Sequence, residues 1–420
     1  MTLELVTLSN GVRVALDPMP ALATAAVGVW QRVGARWEKP EENGVAHLFE
    51  HMAFKGAGSR DARAFAEAIE SVGGAMNAQT GYERTSYYAR VVSEHAPFAL
   101  DLIADSLLDP HWAPADLEKE KGVVAQERGE AYDQPEDRVF ELHQAALYPD
   151  QPLGRPILGT DETLKGVSVD SLIAFRAQHM APSRVVIAIA GAFDRGAVLD
   201  VAERRFARLA VRPDAPAPPA RAVSGVRIEA RKLEQTHLVL SLAAPGAKDE
   251  RTYAARLMSE IYGGGMSSRL FQEVREARGL VYAIDSFIDQ VEETGRRGIY
   301  AGCDAANAGE VARIAADLLE AFAAEGPTEA ELARAKAVAA AGLLMGAEAP
   351  LARADARANQ LFLRDALIPF EAVRAKIEAV TAADVRAAAA AALEGPACAA
   401  AIGPKAGLAA AEAFRARLAR

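Results

Sequence analysis

Cysteine is nearly absent: Cys303 and Cys398 are the two in 420 residues, too few and too isolated for a disulfide framework or a cysteine-based zinc site. Any metal must be held by histidine and carboxylate. No apolar run approaches the ~18 residues a membrane span requires, so no span is predicted. Basic charge is also in deficit, with 47 Lys and Arg against 57 Asp and Glu and a formal charge of -10. Without a basic stripe to displace phosphate counterions, nucleic-acid binding loses its support. The first residues, MTLELVTLSNGVRV, carry neither a basic n-region nor an apolar h-region. That predicts a cytoplasmic protein, or a periplasmic or organellar one if the chain is a mature form.

Against these absences stand length and apolar mass. At 420 residues and 51% hydrophobic, the chain is long enough for two packed domains. One composition break stands out: RPDAPAPPA, Arg212 to Ala220, puts four prolines in nine residues and favours extended backbone. Domains are therefore predicted at 1–211 and 221–420, with 212–220 as a proline-rich linker. In the first half, Asn10-Gly11 lies between two apolar-alternating runs and is the pair a type I′ hairpin turn prefers. Strands are predicted at 23–33, 76–79, 85–92 and 185–190. Helices are predicted at 44–55, 62–72, 97–108, 115–132 and 168–179, the first with Asn43 as its N-cap. The second half repeats the order, with strands at 226–230, 237–242, 281–289, 298–303 and 397–402 and helices at 252–262 and 267–278. Thr328 and Glu331 have capping-box spacing and open a further long helix. Strands leading into helices without regular βαβ alternation predict an α+β fold, two homologous domains each built of a mainly antiparallel sheet packed with helices.

Chemistry concentrates in the 44–55 helix. His47, Glu50 and His51 spell H-x-x-E-H, and helix geometry puts positions i, i+3 and i+4 on one face. A solvated polar helix face is the plain alternative. Val45, Phe49 and Met52 at helical spacing argue against it, because a largely buried His pair with a carboxylate is costly unless a cation neutralises it. A catalytic zinc site takes three protein ligands, so a third must come from elsewhere. Glu120 and Glu127 in LEKEKGVVAQERGE are two helical turns apart on one face of the 115–132 helix and are the candidates. Glu118 and Glu130 read as ordinary charged surface.

H-x-x-E-H is the inverted zinc-peptidase motif, and the chain resembles the pitrilysin-type metallopeptidases well beyond it, most closely the half-size bacterial members similar to mitochondrial processing peptidase. In that family the third ligand is a Glu some seventy residues on, which the resemblance places at Glu127, with Glu120 as an accessory carboxylate. GGAMNAQTGYERTSYYARV resembles the family's substrate-pairing edge strand and assigns substrate binding to Asn77 and Ala78. GGGMSSRLFQEVREARGLVY places at Arg275 and Tyr282 the Arg and Tyr that complete the site from the other half. A core position in a strand is the plain alternative for Tyr282. The family implies a LuxS/MPP-like metallohydrolase fold. Two departures stand out: Ala53 replaces a larger apolar residue, and Arg256, Ser259 and Glu260 stand where the second half would carry the motif.

From this follows an expectation of one Zn2+ per chain, held by His47, His51 and Glu127, with Glu50 as general base and Arg275 and Tyr282 assisting substrate and oxyanion. The expected activity is endopeptidase action on unfolded peptides or presequence-like segments, inside a clamshell of two chains, a homodimer or a heterodimer with a related subunit. Two competing expectations are a non-catalytic binding or assembly subunit and a zinc hydrolase of non-peptide amides.

Overall fold

The run VVIAIAG, Val185–Gly191, is apolar throughout, which suits a strand only where both faces of its sheet are covered. The computed structural model, which describes residues 2–214 and 216–418, shows both faces covered. Val185, Ile187 and Ile189 point into the main core of the first half, whereas Val186, Ala188 and Ala190 meet Ala354, Ala358 and Leu361. Those last three belong to the Pro350–Arg364 helix, from far along the chain. The compact units therefore do not follow chain order. One contains Met1–Arg128, Pro156–Pro218 and Leu344–Pro369; the other contains Gly129–Arg155, Pro219–Leu343 and Phe370–Arg420.

In the first unit the strands are β1 (Glu4–Thr7), β2 (Arg13–Pro18), β3 (Thr24–Gln31), a two-residue ribbon β4 (Gly56–Ala57) with β5 (Arg60–Asp61), β6 (Ala75–Thr80), β7 (Thr85–Val92) and β8 (Val185–Gly191). The main sheet has the order β1-β2-β8-β3-β7-β6, antiparallel except where β2 meets β8. The β1–β2 turn differs from expectation. Only Gly11 has positive φ (96°), and its amide donates to Leu8 O at 2.9 Å. That is a three-residue loop with a left-handed glycine rather than type I′, which needs positive φ at Asn10 as well.

The second unit repeats the scheme with β9 (Gly225–Ala230), β10 (Thr236–Pro245), β11 (Val281–Gln290), β12 (Thr294–Cys303) and β13 (Ala397–Gly403). Its order is β11-β12-β10-β13-β9, again with one parallel pair, β9 with β13. Reading β6-β7-β3-β8-β2 beside it shows the duplication in strand order and pairing sense. Here too the far face is covered by a helix from the other half of the sequence: Pro135–Leu147 packs on β9, β10 and β13. That helix carries the buried His143, whose Nδ1 accepts from Arg296 (2.8 Å). Its remaining ring proton then lies on Nε2, 2.7 Å from Ser241 Oγ. Burial and the Arg296 charge hold His143 well below its usual pKa, so it is neutral.

The proline-rich stretch is held to the first unit as far as Pro218. Arg36 Nε donates to Pro218 O at 2.9 Å, and Arg184 pairs with Asp214 at 2.6 Å. The predicted 267–278 helix is present in shortened form, helical from Arg269 and π-wound through Phe271–Glu276. The helix Pro135–Leu147 was not foreseen. Conversely, Thr328 and Glu331 do form the capping box, with amide-to-side-chain distances of 2.8 and 3.2 Å. Among the described residues no single helix is long and apolar enough to cross a membrane.

The returning Pro350–Arg364 helix is fixed to the first sheet by charge as well as by packing. Arg357 Nε lies 2.7 Å from Asp17 Oδ2, both side chains 2% exposed, and Arg353 Nε lies 3.0 Å from the same oxygen. Removing the carboxylate would take the Asp17 ion pair from a buried guanidinium whose other bonds go to Gln360 and the Ile368 carbonyl. Asp17→Ala is expected to cost about 3–5 kcal/mol in urea unfolding; a loss below about 1 kcal/mol would mean that Arg357 finds water or another acceptor at no cost.

Candidate metal centre

The helix Val45–Met52 is short, and its start decides where its side chains point. Asn43 is not its N-cap. The cap position is Gly44 at φ 97°, and the helix's free amides are taken by Glu38, whose carboxylate accepts from Gly44 N (2.9 Å) and Ala46 N (2.8 Å). Asn43 Nδ2 donates to the same carboxylate at 2.7 Å, so Asn43 braces the cap. An anion at a helix N-terminus is favoured by the dipole as well as by the hydrogen bonds. Glycine at 44 answers both the positive φ and a close approach, since a Cβ there would lie 3.0 Å from Gly159 Cα. Phe49 anchors the apolar side, its ring 5.6 Å from Trp112 and 6.2 Å from Phe175.

The opposite side presents the imidazoles of His47 and His51, ring centroids 4.7 Å apart. The third group arrives on the Pro114–Asp133 helix, where Leu117, Glu120 and Val124 are buried and Glu127 follows one turn later on the same face. Glu127 Oε2 lies 3.5 Å from His51 Nε2 and 3.8 Å from His47 Nε2. Among the described residues this trio is the one cluster of three His, Cys, Asp or Glu donors close enough to share an ion. The donor set fits zinc. Tetrahedral bonds of about 2.0–2.2 Å put ligand atoms roughly 3.3–3.5 Å apart, near the spacing already present. Burial, with help from the His51 charge, holds His47 down to about 4, so the ring is neutral and able to ligate. Its Nδ1 is enclosed without a partner.

Glu120, 8% exposed, accepts or shares a proton with His51 Nδ1 at 2.9 Å, and its other oxygen meets Lys55 Nζ at 2.7 Å. It is thus placed to orient His51 and leave Nε2 toward Glu127, an outer carboxylate rather than a fourth donor. Glu50 also stays outside the trio. Burial raises its pKa above the usual carboxylate range, against the opposing pull of a hydrogen bond donated by the Thr80 hydroxyl. Thr80 and Lys55 are the site residues that sequence reasoning missed. Neither has a motif signal, although Lys55 falls one turn after His51. Glu118 and Glu130 are exposed, as expected.

Asn77 and Ala78 lie on β6, which is an edge of its sheet, with Thr80 at the end of the same strand. The Ala78 amide is taken by Asn77 Oδ1 at 2.9 Å. Arg275 and Tyr282 belong to the second unit and meet there, the guanidinium carbon 5.7 Å from the phenol centroid and 4.6 Å from that of Phe271. Tyr282 is 80% exposed, which removes the core alternative. Arg256, Ser259 and Glu260 hold no comparable cluster: Ser259 Oγ bonds Ser286 Oγ, at 2.5 Å, and Arg256 bonds Gln290.

Two family models match the chain. Residues 13–161 match that described as insulinase (peptidase family M16), and residues 166–338 match that described as peptidase M16 inactive domain. A protein named as an uncharacterized zinc protease in Mycobacterium tuberculosis is 36% identical over 387 residues, 91% of this chain and 88% of its own. Another named as an uncharacterized zinc protease, YmxG of Bacillus subtilis, is 37% identical over 343 residues, 81% of this chain and 84% of its own. Among solved structures, a protease from Helicobacter pylori superposes with TM-score 0.87 at 20% identity, covering 96% of this chain and 99% of that one. A chain of complex III2 from Candida albicans gives 0.88 at 21% identity, covering both chains fully. At those identities the structures show likeness of fold.

Glu127 stands among the three candidate donors, and Glu120 stands behind one of them, against His51 Nδ1. Glu127→Ala should abolish tight zinc binding, whereas Glu120→Gln should weaken it about 10- to 100-fold, as loss of an outer partner does. Metal titration against a competing chelator reads both. Equal, unchanged affinity in the two variants would show that the ion is held elsewhere.

Proposed function

The chain belongs to the M16 peptidase family, and from that premise we propose that it is a zinc-dependent endopeptidase acting on extended peptide segments. The observation that carries this is the convergence of His47, His51 and Glu127 beside a separate carboxylate, Glu50, that Thr80 fixes. His47, His51 and Glu127 would hold the ion, which when bound supplies Lewis-acid polarisation of a carbonyl and acidifies water. Glu50 would accept the proton of the attacking water and deliver it to the departing amine. Its raised pKa suits both directions, because the carboxylic acid form is then populated closer to neutral pH.

An unpaired strand edge is the natural seat for an extended peptide, whose backbone can add to β6 while its side chains vary. Asn77 and Ala78 would make that contact, the Asn77 carboxamide giving up the Ala78 amide to substrate. Arg275 and Tyr282 would bind substrate and stabilise the developing oxyanion, for which an exposed phenol is suited. The working form is proposed as two chains, identical or related, closing around unfolded substrate.

Glu50→Gln, nearly isosteric but unable to accept the proton, should retain zinc and peptide affinity while turnover falls by at least about a thousandfold. The same peptide-library digest should show about a ten- to thousandfold loss in zinc-loaded Tyr282→Phe. Near-normal kcat in Glu50→Gln would remove the proposed base. Hydrolysis confined to small amides, with peptides untouched, would overturn the peptidase reading.

Thr80→Val tests the support of Glu50. The Thr80 hydroxyl lowers the Glu50 pKa, so its loss leaves burial less opposed and raises that pKa further. A base is active when deprotonated, and the acid limb of the kcat/KM profile should therefore move to higher pH. A limb that stays in place or moves down would show that Thr80 does not hold the reacting carboxylate.

A further inference from the structure

Five arginines among the described residues are buried, and four have a carboxylate: Arg36 with Glu83, Arg184 with Asp214, Arg296 with Asp289 and Arg357 with Asp17. Arg297 does not. It lies on β12 with Ile299, Ala301 and Cys303 on the same face, all three in the apolar core of the second unit. It is 5% exposed. Its hydrogen bond is from Nη1 to the Ala388 carbonyl at 3.2 Å, and its Nε is enclosed with no partner. Burial lowers its pKa to about 10, which still leaves it charged at neutral pH. A buried, unneutralised guanidinium is costly to the fold by itself.

Arg297 lines a cleft of about 840 Å³ whose other residues all belong to the second unit. Small side chains make the room: Ala243, Ala254, Ala388 and Ala391 form walls, with Tyr253 and Val380. The other cations along the cleft already face carboxylates, Arg251 with Asp249 at 2.6 Å and Lys376 with Glu250 at 2.7 Å. Glu293 and Asp384 add further negative charge to the lining. The volume falls within the roughly 300–1,000 Å³ of small-molecule sites.

We propose that this cleft is a ligand site of the second unit for a small organic monocarboxylate with an apolar body, its carboxylate on Arg297 and its body against the alanine walls. One unpaired positive charge among several carboxylates matches a single negative charge and disfavours a dianion such as a phosphate ester. An inorganic anion would meet the charge and leave the apolar volume unfilled. Nothing in this site involves His47, His51, Glu50 or Glu127, so the proposal stands apart from the peptidase reading.

The test is calorimetric titration of the full chain with decanoate, decanamide and inorganic phosphate. Decanoate should bind and raise the Tm. Decanamide should bind at least about tenfold more weakly, and phosphate should not displace decanoate. Arg297→Met should lose decanoate by about tenfold or more while leaving decanamide affinity unchanged, and its free form should melt higher than wild type because a buried charge is gone. Should that variant fail to fold, Ala391→Trp, which fills the cleft from an exposed position, should abolish decanoate binding. Equal affinity for acid and amide, displacement by phosphate, absence of binding at millimolar decanoate, or undiminished binding in the variants would each overturn the proposal.

Discussion

The Glu38 carboxylate at the start of the Val45–Met52 helix is the constraint on which the site rests. Two turns of helix cannot hold a fixed direction by their own hydrogen bonds, since half of their amides have no partner within the helix. Glu38 supplies acceptors to Gly44 and Ala46, and Phe49, Leu48 and Met52 press the opposite side into the core. With axis and rotation fixed, His47 and His51 project together. The Lys55–Glu120–His51 chain then sets the orientation of one ring, and Glu127 closes the trio from the neighbouring helix. A change at Glu38 would therefore reach the histidines without touching them.

The duplicated sheet gives this arrangement its rigid base. Strands apolar on both faces, Val185–Gly191 and Ala397–Gly403, need cover on both sides, and each receives a helix from the opposite half of the sequence. The exchange places an internal segment of each half in the other unit, and β6 and β11 are edge strands of their sheets. The second unit kept the scaffold without the metal-binding side chains, and its alanine-rich helices leave a cleft that the first unit's chemistry does not use.

What was legible in the sequence was local or strongly patterned. H-x-x-E-H specified one helix face, the alternation through Thr85–Val92 specified a strand, and the two-turn interval from Glu120 to Glu127 specified a shared face. What escaped notice was set by distant partners. Asn43 looked like an N-cap because Asn favours that place, but a buried carboxylate five residues earlier took the amides. Thr80 and Lys55 have no pattern of their own and acquire roles from what lies opposite them. The helix Pro135–Leu147 has a weakly marked apolar face because buried His143 and Gln144 are satisfied by hydrogen bonds rather than by apolar packing. The predicted helix at 267–278 starts only at Arg269, after three glycines, and its winding loosens to a π-helix over Phe271–Glu276, the stretch that carries Arg275.

If two imidazoles and one carboxylate of this chain hold zinc, X-ray absorption at the zinc edge of the loaded protein should show nitrogen and oxygen scatterers alone at about 2.0–2.2 Å, with multiple-scattering features of two imidazoles that fall to one in His51→Ala. A sulfur shell near 2.3 Å, an all-oxygen shell, or an unchanged imidazole signal in that variant would contradict that ligand set.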